Sequence, residues 1–95
     1  MNCPHCGVDI DNHPASHCLN VWLASLLDMR LNDFSRNIAA AWEVVDKFQS
    51  ADIEREFGGN TIIFIEVAGI GWFSAHAPST SLAISRVAIK ACKGE

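Results

Sequence analysis

Apolar positions along this chain follow two different periods. Between Ser16 and Arg30, Leu19, Trp22, Leu23, Leu26 and Leu27 recur every three or four residues, the spacing that lines one face of a helix. LNDF (31–34) breaks that pattern. A second stripe of Ile38, Ala41, Trp42, Val45 and Phe48, with Glu43, Asp46 and Lys47 off it, predicts a helix over roughly 36–49. Ser35 or Asn37 can cap it, because their side chains accept from the free N–H groups of a first turn. The period then shortens. Ile53, Arg55 and Phe57 alternate with Glu54 and Glu56, which predicts a half-exposed or edge strand, and Gly58-Gly59-Asn60 supplies a hairpin turn. Thr61–Ala68 is almost continuously apolar and β-branched, as a central strand covered on both faces would be. Gly69-Ile70-Gly71 turns the chain again, Trp72–Ala77 forms a third strand, and Pro78 stops it. Ser79, Thr80 or Ser81 then caps a last helix running to about Cys92.

A middle strand buried on both faces needs helices on both sides of the sheet. The predicted class is therefore α+β: a three-layer α/β/α sandwich with a small antiparallel three-stranded sheet, in the order α-α-β-β-β-α. Residues 1–18 form a separate segment in front of it, and 19–95 form the sandwich, in one compact domain overall.

That front segment carries the densest chemistry. CPHCGVDIDNHPASHC (3–18) holds three of the four cysteines and three of the four histidines. Cys3-Pro4-His5-Cys6-Gly7 has the form of a knuckle: two thiolates separated by two residues can face one tetrahedral ion, and Gly7 tolerates the positive φ that follows. His13, Cys18 and His17 are the available third and fourth donors. His13 and Cys18 keep the final interval of zinc knuckles, Cys-x2-Cys-x4-His-x4-Cys, although the middle gap here is six. The expected set is Cys3, Cys6, His13 and Cys18 around a structural zinc, with His17 as substitute for one of the last two. Adjacent residues on a starting helix diverge, so His17 and Cys18 are not expected to bind one ion together. His5 should point outward, and Cys92 should be a free, largely buried thiol. Free cysteines near a frayed terminus, or disulfides, are the competing readings.

Charge and size narrow the function. The chain has 95 residues, a formal net charge of -4, and only 19% charged residues against 49% hydrophobic ones. The front is acidic and only the tail mildly basic, which argues against nucleic-acid binding, where clustered Lys and Arg supply most of the affinity. The segment is also a poor nucleic-acid knuckle, having Asp9 and Asp11 but no Lys, Arg or stacking aromatic. No basic-then-apolar leader follows Met1, and TIIFIEVAGIGWF contains Glu66 and is too short to span a membrane. A reducing cytoplasm is expected, where cysteines are more often metal ligands than disulfides. Three tryptophans and five phenylalanines in so small a domain point to a homo-oligomer, most simply a dimer.

Two segments carry a resemblance. SRNIAAAWEVVDKF (35–48) and STSLAISRVAIKA (79–91) are similar to the most recurrent segments of phage ABA-sandwich domain proteins, small phage and prophage proteins; CLNVWLASLLD (18–28) is similar to that family's first helix. The match spans roughly 18–92. Arg36 and Asn37 depart from the family's Thr and Asp, Ser81 from its Pro, and Ser85 from its Cys. The resemblance implies a three-layer sandwich and a phage origin, with action in the host cytoplasm.

No catalytic pattern stands beside it. There is no nucleophile elbow, phosphate-cradling loop or open metal triad, Gly69-x-Gly71 is a turn, and His76 reads as a strand residue rather than an acid–base partner of Glu66. A non-enzymatic protein is expected. Arg86, at the position matching the family's Arg, lies mid-helix where the dipole does not account for it, and Trp72 and Phe73 sit on the preceding strand. Arg86 with one of these aromatics would hold an anionic, base-containing ligand. That suggests a phage accessory protein that sequesters a small nucleotide-type defence signal. The other class is a structural or protein-interaction module with no small-molecule ligand, in which Arg86 pairs with Glu54 or Glu56.

Overall fold

The computed structural model describes residues 2–48, 50–55, 60–67 and 69–94, and for 50–55 the backbone alone. After a 3-10 turn at Ile10–Asn12 come α1 (His17–Leu27), α2 (Ile38–Val45), β1 (Ser50–Arg55), β2 (Thr61–Val67), β3 (Gly71–Ala77) and α3 (Thr80–Lys93). Local chemistry sets the helix ends. The Ser16 side chain accepts from the Leu19 N–H, Asn37 from those of Ala39 and Ala40, and Ser79 from that of Leu82. Gly94 closes α3 at φ 74°, a left-handed cap that glycine adopts without penalty. Phe57 and the Gly58-Gly59 turn lie outside the described residues.

α3 is the centre of the molecule. Ten of its residues, from Ser81 to Ile89 and Ala91, are buried, so its burial runs all round rather than along one stripe. One side lies against β2 and β3, and the other carries α1 and α2. Small residues (Ser81, Ala83, Ser85, Ala88, Ala91) let neighbours approach closely, and the two hydroxyls are satisfied: Ser85 donates to Ser81 O at 2.9 Å and Ser81 to Ser35 O at 3.3 Å.

This arrangement corrects the expected class. The α/β/α sandwich, with helices on both faces of a three-stranded sheet, is not what forms. The sheet that builds the core is the antiparallel β2–β3 pair, and the helices all stack on one side of it, giving the order sheet, α3, then α1 and α2. β1 adds backbone pairing to β2, with Ile53 opposite Ile63. Thr61, Ile63 and Ile65 of β2 and Ala75 and Ala77 of β3 are buried, while Trp72, Ser74 and His76 on the opposite face of β3 are exposed. The uniformly apolar β2 suggested two covered faces, but β3 alternates between small residues inward and polar or large ones outward.

α2 is also shorter than expected and turned. Its buried face is Ala40, Ala41 and Val44, whereas Ile38 and Trp42 are 44% and 42% exposed. Small side chains, not the large ones, meet α3, because they let the two helix backbones come close. Cys92, expected to be buried, is exposed. Among the described residues, no helix is long and apolar enough to cross a membrane.

Candidate metal centre

The first eighteen residues have little core of their own and are held by turns. Cys3 N–H bonds Val8 O and Gly7 N–H bonds Cys3 O, each at 2.9 Å, and Gly7 takes φ 76°. The loop so closed presents Cys3 and Cys6 side by side, and the His5 N–H donates to Cys3 Sγ at 3.4 Å. Asp9 then caps the 3-10 turn, whose Ile10 is buried in the main core. The turn delivers His13, fully buried, and Ser16 starts α1 so that Cys18 comes in its first turn.

These elements bring Cys3, Cys6, His13 and Cys18 together, with one donor atom of each lying within 4.8 Å of all the others. Cys3 Sγ and Cys18 Sγ are 3.7 Å apart, and His13 Nε2 is 3.2 Å from Cys6 Sγ and 3.3 Å from Cys18 Sγ. With metal–sulfur bonds of about 2.3 Å and metal–nitrogen bonds of about 2.1 Å, a tetrahedral zinc site has sulfur–sulfur edges of about 3.8 Å and sulfur–nitrogen edges of about 3.6 Å. These three edges match those figures to within a few tenths of an ångström.

The imidazole is oriented for the task. His13 Nδ1 is 2.8 Å from Pro14 O, and a carbonyl can only accept, so Nδ1 carries the proton and Nε2 offers its lone pair toward the sulfurs. A backbone hydrogen bond from Val8 holds the Cys6 thiol below its ordinary pKa, favouring the thiolate a metal needs. Burial pushes the Cys18 thiol up, opposed by the Ser16 hydroxyl, 3.6 Å away. His5 is exposed, and His17 instead lines a cleft of about 360 Å³ on the far side of the α1 start, with Asn20, Leu31, Asn32, Asp33 and Arg36. The alternative donor is therefore not among the four clustered residues.

The residues expected to bind a ligand are not assembled into one site. Arg86 is only 8% exposed, and each of its three nitrogens bonds a carbonyl: Nε and Nη2 on His13 O at 3.0 and 2.6 Å, Nη1 on His76 O at 3.0 Å. Desolvation lowers its pKa, partly offset by the nearby charge of Asp11. Phe73 packs against the core, and Trp72 is 52% exposed on the open face of the sheet.

Sequence reasoning missed two polar devices. Lys90, one turn after Arg86, forms an ion pair with Asp11 and donates to Ser74 O at 3.2 Å. Asn20, buried on α1, accepts from the Ser35 N–H at 3.0 Å and hydroxyl at 2.8 Å, and donates to Asp33 at 2.8 Å. A polar residue inside an apolar stripe was the available signal for the second. No family model matches the chain, and no curated protein or solved structure is similar to it. What the centre can do thus follows from its donors alone.

Proposed function

We propose that the chain is a non-enzymatic module whose N-terminal segment is stapled by one structural zinc ion. The observation that carries this is the closed donor set: three sulfurs and one imidazole from the protein account for all four tetrahedral positions. Catalytic zinc keeps a position open for water or substrate, and a Cys3His set does not. Three thiolates favour zinc over magnesium or calcium, which take oxygen donors. Metal analysis of protein never exposed to chelator tests the proposal. About one zinc per chain is expected, with cobalt substitution giving tetrahedral spectra; protein free of metal, and taking up no cobalt, refutes it.

Of the two functional classes, protein interaction is the better supported. A nucleotide-sequestering site built on Arg86 would need free guanidinium donors beside an aromatic, and those donors bond backbone carbonyls instead. Apolar surface is left in water: Ile38 and Trp42 lie one turn apart on α2, and Trp72 stands on the uncovered sheet face. The partner in this reading is a second copy of the chain, joined through the α2 stripe. Light scattering at tens of micromolar should report a dimer that Trp42→Ser weakens, and a monomer throughout would refute it. The phage setting rests on the resemblance of 35–48 and 79–91 to phage proteins.

A further inference from the structure

What holds His13 in place lies far away in sequence. The stretch from His13 to Ser16 belongs to no helix or strand, and Pro14 has no N–H with which to tie the loop down. Ser35 holds Ser16 and Arg36 holds Ala15, while the hold on His13 itself comes from α3. Arg86, 73 residues on, places Nε and Nη2 on the single His13 carbonyl and Nη1 on His76 O of β3. A two-pronged grip of this kind needs the planar fork of a guanidinium and is beyond an ammonium group. Burying a guanidinium is costly unless its donors are satisfied, and here they are satisfied by backbone flanking a metal donor and by the strand behind it.

We infer that Arg86 is the positioning residue of the metal centre. It fixes the His13 peptide while Pro14 O fixes the ring, so Nε2 stays aimed at Cys6 and Cys18. Through its third bond it also ties metal affinity to the packing of α3 on β3. Lys90 repeats the pattern one turn later, joining Asp11 of the adjoining 3-10 turn to Ser74 on the same strand. The inference rests on the metal reading above. Groups that orient a metal's ligands typically change affinity about 10–100-fold when removed.

The test measures zinc and cobalt affinities, by competition with a chromophoric chelator, for wild type, Arg86→Met and Arg86→Lys. Melting midpoints of each protein are taken with and without zinc. The expected result is a roughly 10–100-fold loss for Arg86→Met, a smaller loss for Arg86→Lys, and a reduced zinc-induced rise in melting midpoint for both. A merely structural arginine would lower both midpoints alike and leave that rise unchanged. Wild type that binds no cobalt sinks the metal reading itself. Wild type that binds while both variants stay within about threefold of it overturns the role of Arg86 alone. Should Arg86→Met not fold, Arg86→Lys decides; failure of both to fold in saturating zinc also overturns the role, because Arg86 would then be a residue of the fold rather than of the site.

Discussion

Stripping the metal should unsettle the whole domain, not only its first eighteen residues. Cys3 and Ile10, each 2% exposed, belong to the same buried apolar cluster as α1 and α3, and His13 is fully buried, so the knuckle is part of the main core. Two routes give the size of the effect. Cys3 and Cys18 are 15 residues apart, and closing a loop of that length with a cross-link is worth about 3 kcal/mol in the chain-entropy account. Binding a ligand at about a thousand times its Kd adds about 4 kcal/mol. A domain near 100 residues loses roughly 4–5 °C per kcal/mol, so an excess of chelator should lower the melting midpoint by roughly 12–20 °C. Far-ultraviolet circular dichroism with zinc and with chelator measures it, and one cooperative transition is expected in both. A midpoint that moves by less than about 3 °C would show that the knuckle is not integrated with the core. Two separate transitions would show the same.

Other substitutions probe the rest of the structure. Phe34→Ala, at a fully buried aromatic, should cost about 3–5 kcal/mol in denaturant unfolding. Asn20→Leu leaves the buried Ser35 N–H without its acceptor and should cost about 1–3 kcal/mol, although leucine suits the helix better. Asn37→Ala removes the cap of α2 and should cost about 1 kcal/mol, seen as a lowered midpoint with zinc present. Lys90→Ala breaks a pair whose acid is 58% exposed, so the loss should stay below about 1 kcal/mol and shrink as salt is raised.

The four-residue Cys/His cluster was legible because its members are local. All four fall within sixteen residues, and the onset of α1 at Ser16 decides between neighbours His17 and Cys18 by pointing them apart. Helix and strand positions were legible for the same reason, since period and caps are properties of short stretches. The layering was not. Ile38 and Trp42 looked like a core face, yet α3 is itself lined with Ala and Ser and selects the small face of α2. β2 looked doubly buried because its outer positions are Ile62 and Phe64, although only β3, with Ser74 and His76 outward, showed that one face stays open. Arg86 was singled out for its position mid-helix, but its partners are backbone carbonyls, which leave no trace in residue identity.

Among the described residues β3 has one strand partner, β2, and two of its carbonyls, Ser74 and His76, are already occupied by Lys90 and Arg86. An unpaired strand edge is ordinarily a template on which another chain can add itself, a route to fibrils. Here two cations sit across that template. An approaching strand would have to displace charged side chains that already bond the acceptors it needs. The same contacts that tie the N-terminal loop to the sheet therefore make strand addition on the β3 side costlier, and strand-by-strand growth should favour the β1 side.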